Sequence, residues 1–186
     1  MTVASDKAAV RKAALAQRKA AHGQSGGTSA GILSEVLAGY RGVPIAGYLP
    51  ILSEIDPRPA MAEGVAHGPV GVPVIQGKDQ PLFFANWVPE IALIRGPFGA
   101  FVPIDQVLMV PQIVIVPLVA FDRTGGRMGY GGGFYDRTLE GLRARGPVMA
   151  IGFAYGEQEV EKLPVEPTDQ PLDLIVTERG VIDPVR

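Results

Sequence analysis

The glycine-rich stretch at residues 116–139 is where this sequence offers the clearest chemistry. An apolar strand is followed there by a glycine-rich turn and then by the start of a helix. The turn contains Gly129, Gly131, Gly132 and Gly133. Glycines free the backbone to present a row of N–H groups, and the helix that follows directs its positive end at the same place. Arg127 adds a cation and Asp136 a carboxylate, so this stretch predicts a polyphosphate site that uses Mg²⁺.

The turn differs from two common phosphate-binding loops. No Gly-Lys-Ser/Thr follows it, which excludes a Walker A loop. Its glycines come too late in the chain, and at the wrong spacing, for a dinucleotide-binding fingerprint. Glycine clusters also form ordinary loops, and the turn alone leaves that alternative open. The order of Arg127, the glycines, the helix start and Asp136 favours the phosphate site.

A second group of cations lies near the amino terminus. Lys7, Arg11 and Arg18 fall at about 0°, 40° and 20° on a helical wheel, so they share one narrow stripe. Like charges at this spacing repel one another by a few tenths of a kcal/mol per pair. Two interpretations stay open from the stripe alone, a solvated helix face and a clamp for anionic phosphates.

A carboxylate and several aromatic residues could form a pocket for a flat ring. Glu54 follows a predicted strand end at Tyr48-Leu49-Pro50, where it could accept from N–H groups of a heterocycle or remain a solvated loop acid. Four aromatic residues in or beside predicted loops could wall such a pocket or belong to the core. They are Trp87, Phe98, Phe101 and Tyr155.

Asp173 stands at the edge of the apolar run at residues 172–176, where a carboxylate needs a partner. One option is a metal ion shared with Asp136. A helix cap or a salt bridge is the commoner answer for an acid in such a position, and both alternatives are open.

The length, amino-acid composition and net charge of the chain exclude several classes of protein. With 186 residues and 47% apolar residues, the chain is expected to form a single domain over residues 1–186. A net charge of −2 argues against nonspecific nucleic-acid binding. The absence of cysteine excludes thiolate chemistry and disulfides, and two histidines cannot build a multi-histidine metal site. Apolar runs such as residues 113–116 are too short to span a membrane. The Ala-, Lys- and Arg-rich start could alternatively be a transit peptide.

The periodicity predicts strands that alternate with helices. This pattern indicates an α/β layered fold with a central, largely parallel sheet flanked by helices, whose ligands bind beyond the carboxyl ends of the strands. The predicted helices are residues 6–21, 29–37, 57–66 and 134–145, with a break at 23–27 and a short helical turn at 157–162. The predicted strands are residues 43–49, 70–75, 82–87, 107–116, 148–153 and 172–176, and residues 95–103 are expected to be loop.

Taken together, these residues resemble the 5-formyltetrahydrofolate cyclo-ligase family, also called methenyltetrahydrofolate synthetases. The most specific part is Gly-x-Arg-x-Gly-x-Gly-x-Gly followed by aromatic-Tyr-Asp. The likeness extends over nearly the whole chain. In chain order its other parts are Lys7 and Arg11, Tyr48-Leu49-Pro50 with Glu54 and Ile55, Gly96-Pro97-Phe98-Gly99, Phe121-Asp122, Gln158, Leu163-Pro164, Asp169 to Asp173, and Ile175-Val176-Thr177-Glu178.

The resemblance implies an ATP- and Mg²⁺-dependent cytoplasmic enzyme that converts 5-formyltetrahydrofolate to 5,10-methenyltetrahydrofolate. The resemblance also implies that the substrates are small molecules and that the protein has neither nucleic-acid nor membrane partners. The residues implied to bind ATP are Lys7, Arg11, Arg127, Met128, Gly129, Tyr130, Gly131, Gly132, Gly133, Phe134 and Tyr135. Those implied to contact the folate are Leu49, Glu54, Tyr130, Gly131, Gly132, Gly133 and Phe134. Asp136 and Asp173 are implied to hold the magnesium.

The chemistry of such a reaction suits a chain without reactive thiols. A formamide oxygen is a poor leaving group, but attack on the γ-phosphate of ATP turns it into a phosphorylated imidate that can leave. The second folate nitrogen then adds to the activated carbon, and phosphate departs. This sequence of steps needs alignment and charge neutralisation more than a protein nucleophile.

Four positions depart from the family pattern, namely Val102, Met128, Gly132 and Thr168. The change at Val102 puts one polar contact near the substrate pocket in question, and it is the one sequence feature that favours a non-catalytic folate- or nucleotide-binding relative. A second alternative is an α/β enzyme that acts on a sugar phosphate and does not use ATP.

Overall fold

The computed structural model describes residues 3–25, 29–96 and 99–185, with side chains from Lys7 onward. The described part contains four α-helices. They are α1 (Val3–Ser25), α2 (Gly31–Ala38), α3 (Arg58–Val65) and α4 (Phe134–Arg143). A 3₁₀ turn follows at Gly156–Gln158. None of the described helices combines the length and the apolar character that crossing a bilayer requires.

The strands form one large sheet and two small hairpins. The bounds are β1 (Ile45–Ala46), β2 (Val70–Ile75), β3 (Leu82–Asn86), β4 (Leu93–Arg95), β5 (Phe101–Pro103), β6 (Leu108–Met109), β7 (Ile113–Pro117), β8 (Ala120–Phe121), β9 (Arg127–Met128), β10 (Met149–Phe153), β11 (Leu174–Thr177) and β12 (Gly180–Ile182). The large sheet has the order β12-β11-β10-β7-β1-β2-β3-β6. Its five central strands are parallel and its outer strands antiparallel, which confirms the predicted largely parallel sheet.

Helices cover both faces of this sheet. Along β7, Ile113 and Ile115 pack with Leu33 of α2 and Met61 of α3. The alternate residues of the strand, Val114 and Val116, pack on the other face with Leu139 and Leu142 of α4. Strand β7 is therefore buried on both of its faces. Successive side chains of a strand point to opposite faces, which is why one short apolar strand serves both cores. Parallel strands sandwiched in this way bring their carboxyl ends to one edge.

The largest differences from the predicted element boundaries occur at four places. The expected strand at 43–49 is only the two-residue strand β1 (Ile45–Ala46). Helix α1 continues through Gly23 to Ser25, and the rest of the expected break, residues 26–27, lies outside the described residues. The expected loop at 95–103 contributes to the β4–β5 hairpin. The expected strand at 107–116 is divided into β6 and β7. Pro111 lies between those two strands and cannot donate to a ladder, which accounts for the division.

Asp122 fixes the chain reversal that leads into the glycine turn. It is 1% exposed and follows β8, whose partner β9 carries the cation Arg127. One carboxylate oxygen accepts from the Thr124 amide at 2.9 Å, the Thr124 hydroxyl at 2.6 Å and the Gly126 amide at 3.1 Å. The other accepts from the Leu163 amide at 2.9 Å. Burial raises the pKa of Asp122, but these hydrogen bonds outweigh it and the net pKa is lowered.

We expect Asp122→Ala to destabilise the protein by about 3 kcal/mol, because it leaves three backbone N–H groups without an acceptor, the Leu163 amide among them fully buried. Urea denaturation measures the loss. Asp122→Asn keeps an acceptor oxygen and serves as the matched control, with an intermediate loss expected. A loss below about 1 kcal/mol for the alanine variant would show that the turn holds its shape without this side chain.

Candidate active site

A cavity of about 690 Å³ opens at the carboxyl edge of the sheet. Residues that follow β1 and β7 form its floor, the glycine turn and the start of α4 form one wall, and α1 crosses above. The groups that line it include Lys7, Arg11, Tyr48, Leu49, Glu54, Pro117, Arg127 to Arg137, Thr168 and Asp169. The structure therefore brings residues from both ends of the chain to the edge that the sequence predicted for a ligand.

The glycine turn takes a backbone conformation that side chains disfavour. Gly131 has φ +98° and Gly133 has φ +63°, both in the left-handed region. Gly133 is the N-cap residue of α4, and no side chain caps this helix end. The first N–H groups of a helix lack partners within the helix, so an uncapped end at a cavity offers donors and a partial positive charge to an anion.

Arg11 and Lys7 of α1 reach the same cavity. The Arg11 Nε donates to the Gly129 carbonyl at 2.9 Å, and its Nη2 lies 3.4 Å from where a Cβ on Gly131 would stand. The Lys7 Nζ donates to Glu166 at 2.8 Å and to Asp169 at 3.0 Å. The amino terminus and the glycine turn thus form one cationic wall.

Arg127 adds a buried cation to this wall. Its side chain is 5% exposed and forms an ion pair with Asp136. Its Nε has no hydrogen-bond partner among the described residues. Burial lowers the pKa of the Arg127 guanidinium, which means that the cation is held in an environment that disfavours its charge. An unsatisfied donor on a buried cation beside a cavity is suited to an incoming anion.

The two carboxylates expected to share a metal are not together. Asp136 lies in the first turn of α4 and lines the cavity, where it also accepts from the Gln170 amide at 2.9 Å. Asp173 accepts from Arg143 at 2.7 Å and from the Ala150 amide at 2.9 Å. Arg143 ends α4, about 10 Å along the helix axis from Asp136. Asp173 therefore lies at the amino-terminal edge of the sheet, and the structure does not bring it to the cavity beside Asp136. Its expected metal role stays a prediction.

Glu54 lies on the floor of the cavity and is 5% exposed. One of its oxygens accepts from the Ile51 amide at 2.9 Å, and the other lies 3.9 Å from the Arg18 Nη1. Burial raises the pKa of Glu54 to about 7, although the Ile51 amide, Arg18 and Tyr130 each act to lower it. A carboxylate in this state gains from any ligand that supplies N–H donors.

The aromatic wall differs from the expected set. Trp87 and Tyr155 are 5% and 2% exposed and belong to the core, whereas Phe101 is 56% exposed on β5. Phe98 lies outside the described residues. The aromatic residues at the cavity are Tyr48, Tyr130, Phe134 and Tyr135. The resemblance implies a binding role for the last three. The sequence does not predict that the Tyr48 ring lies at the cavity, since a tyrosine at a strand end belongs to no recognisable pattern.

The side chain of Val102, one of the four departures from the family pattern, does not line the cavity. Val102 is 4% exposed on β5 and packs in a small apolar cluster with Val74 and Ala85. Valine satisfies that environment, so the sequence feature that favoured a non-catalytic relative has a structural explanation. Thr168, the other departure of interest, does line the cavity.

Comparison with known proteins agrees with this architecture. The sequence model of the 5-formyltetrahydrofolate cyclo-ligase family matches residues 4–178. The 5-formyltetrahydrofolate cyclo-ligase of Escherichia coli K12 is 36% identical over 143 residues, which cover 72% of this chain and 76% of that protein. The Haemophilus influenzae protein of the same name is 41% identical over 101 residues, and this match spans 51% of the chain and 54% of the relative.

The fold is also that of a solved relative. The structure of Aquifex aeolicus 5,10-methenyltetrahydrofolate synthetase superimposes with a TM-score of 0.74 at 28% identity, covering 97% of this chain and 93% of that one. Because the family match spans residues 4–178 and so takes in every residue that lines the cavity, the chain belongs to the 5-formyltetrahydrofolate cyclo-ligase family.

Proposed function

We propose that this protein, as a single domain, closes the ring of 5-formyltetrahydrofolate to give 5,10-methenyltetrahydrofolate, with conversion of ATP to ADP and phosphate. The observation that carries the proposal is one cavity with two unlike walls. A cationic wall of Lys7, Arg11 and Arg127 stands beside the glycine turn, and a buried carboxylate, Glu54, lies on the floor. This arrangement suits a nucleotide phosphate on one side and a nitrogen heterocycle on the other.

The cationic wall is the proposed ATP site. The uncapped start of α4 and the unsatisfied Nε of Arg127 supply donors that a triphosphate would satisfy. The proposed ATP-binding residues are Lys7, Arg11 and the nine residues from Arg127 to Tyr135.

The floor and the glycine turn form the proposed folate site. Glu54 would accept from the N–H donors of the pterin, and Leu49 would pack beside the ring. Tyr130, Phe134 and the glycines between them face the shared space, so they would contact both substrates. Apolar side chains such as Ile75 and Leu82 extend the lining away from the phosphates.

The residues present then act mainly by placing the two substrates against each other. The formyl oxygen attacks the γ-phosphate and ADP leaves. The second folate nitrogen then adds to the activated carbon and gives up its proton, and phosphate leaves as the methenyl bridge forms. Lys7, Arg11, Arg127 and the amides of the turn neutralise the charge of the transferred phosphoryl group. Alignment in a shared cavity makes the phosphoryl transfer between the two bound substrates effectively unimolecular, and the ring closure that follows takes place within the folate itself.

The carboxylates at the cavity fit a magnesium ion that arrives with the nucleotide. Mg²⁺ is usually held by one or two carboxylates together with phosphates and water, and Asp136 is the proposed protein ligand. The described residues contain no cluster of three or more acidic or histidine side chains placed to hold a metal on their own. The ion would supply further neutralisation of phosphate charge when bound.

Absorbance of methenyltetrahydrofolate tests the proposal with purified protein, 5-formyltetrahydrofolate, ATP and Mg²⁺. Product that depends on ATP is expected. Ligand binding by calorimetry without any product would instead identify a non-catalytic relative. Product formed equally well without ATP would contradict the mechanism.

Lys7→Ala and Arg11→Ala should each raise the KM for ATP by about tenfold or more, because a charge-assisted phosphate contact is worth roughly 1.5–3 kcal/mol. Steady-state kinetics at saturating folate measures the change. Lys12 is exposed on another stripe of α1, so Lys12→Ala is the control and should leave this KM unchanged. Equal effects of all three substitutions would contradict a specific phosphate contact.

Glu54 should make stability depend on pH in an unusual direction. Its folded pKa is about 7 against an ordinary 4.5, so the folded state holds an extra proton between those values. The free energy of unfolding therefore falls as the pH rises through this window. We expect the wild type to lose about 2.5 kcal/mol more than Glu54→Gln between pH 5 and pH 8.

Urea denaturation at both pH values measures this difference. Glu63 is exposed on α3, and Glu63→Gln should follow the wild-type profile. Parallel profiles for the wild type and Glu54→Gln would show that Glu54 ionises in the folded protein without a cost.

A further inference from the structure

Arg18 is the most deeply buried cation of the basic stripe, and it does not face the phosphate wall. It is 1% exposed, whereas Lys7 and Arg11 line the cavity directly. Its Nε donates to the Ser53 hydroxyl at 3.1 Å, and its Nη1 donates to the Leu118 carbonyl at 3.3 Å. Its Nη2 donates to the Tyr130 hydroxyl. One guanidinium thus joins three loops, those that follow β1 and β7 and the glycine turn.

The same guanidinium is the near cation for Glu54. The Nη1 lies 3.9 Å from a Glu54 oxygen, which is too long for a hydrogen bond and short enough for a strong charge interaction between two buried groups. The guanidinium carbon also lies 5.3 Å from the centre of the Tyr130 ring. Arg18 therefore hydrogen-bonds to Tyr130 of the glycine turn and lies beside Glu54 on the floor of the proposed site, without lining the cavity itself.

We propose that Arg18 is a positioning residue for the folate subsite, which holds the Glu54 carboxylate and the Tyr130 ring in register with each other. The inference rests on the proposed function. It separates Arg18 from Lys7 and Arg11, with which it shares a stripe of α1, and gives it a role toward the second substrate instead of toward ATP. An arginine is suited to this place because its planar fork serves three acceptors at once.

The groups that face Glu54 decide the direction of the effect. The Ile51 amide, Arg18 and Tyr130 favour the charged carboxylate, and burial opposes it. Burial, and after it the Glu54 charge, raises the pKa values of Tyr48 and Tyr135, so both stay neutral. Removal of Arg18 takes away the near positive charge, and the Glu54 carboxyl would then bind its proton at higher pH.

Kinetics of Arg18→Met test the proposal. At pH 7 the KM for 5-formyltetrahydrofolate should rise about tenfold, while the KM for ATP should change by less than about threefold. The pH midpoint of the folate KM should move upward by about one unit. Lys19→Met, an exposed neighbour on α1, is the matched control and should leave both constants unchanged. An equal rise in the KM for ATP, or an unmoved midpoint, would overturn the proposal.

The Arg18→Lys variant separates the effect of the positive charge from the effect of the guanidinium geometry. It also provides the test if the Arg18→Met variant does not fold. It keeps the cation but cannot reach three acceptors, so the midpoint should stay at the wild-type value. The folate KM should still rise about threefold, with the ATP KM unchanged. In a Glu54→Gln background, Arg18→Met should no longer shift any midpoint. A shift that persists there would assign the effect to another group and overturn the proposal.

Failure of the proposed function would be visible separately, as absence of product from the wild type. In that case the infrared band of the protonated Glu54 carboxyl, identified by its loss in Glu54→Gln, provides the readout. Its titration midpoint should be higher in Arg18→Met than in the wild type. Coincident titrations would overturn the inference, whatever reaction the protein catalyses.

Discussion

The crowding of positive charge around one cavity is the constraint on which the rest of this structure depends. Lys7, Arg11 and Arg127 approach the same space, and the uncapped start of α4 adds its partial charge. Glu166, Asp169 and Asp136 offset part of this charge, yet Arg127 keeps an unsatisfied Nε. Holding these like charges close together costs free energy. A ligand with several negative charges offsets that cost, which is why the proposed function places the nucleotide triphosphate here.

The floor of the cavity carries a buried negative group instead of an excess of positive charge. Glu54 is a buried acid whose ionisation is opposed by its burial, and its carboxylate gains from a ligand that supplies N–H donors. Arg18 lies between this floor and the glycine turn, with a charge interaction to Glu54 and a hydrogen bond to the Tyr130 hydroxyl. Helix α1 is therefore more than a cover for the sheet. One of its faces brings Lys7 and Arg11, the proposed phosphate ligands, to the cavity, and Arg18 follows on the same stripe two to three turns later. The cavity is completed only when this helix is docked across the carboxyl edge of the strands.

Much of this could be predicted from the sequence, and the failures have physical causes. The glycine turn was recognisable because its spacing, the cation and the helix start are all local. The layered fold followed from strand–helix alternation. Arg18 could not be separated from Lys7 and Arg11, since a helical wheel gives direction but not depth, and the core lies deeper beneath residue 18. The expected position of Asp173 beside Asp136 fails because Asp173 precedes β11. The residue before a parallel strand lies at the edge of the sheet away from the ligand. Pairings such as β4 with β5 depend on contacts that periodicity does not reveal.

The convergence of the two chain regions on one triphosphate is the central claim, and a structure with a nonhydrolysable ATP analogue and Mg²⁺ tests it most directly. The account predicts that the phosphates lie between Arg11, Arg127 and the amides of Gly131 to Phe134, with the Lys7 ammonium turned toward them. An analogue bound elsewhere, with Lys7 still paired to Glu166 and Asp169 and the Arg127 Nε still unsatisfied, would contradict it.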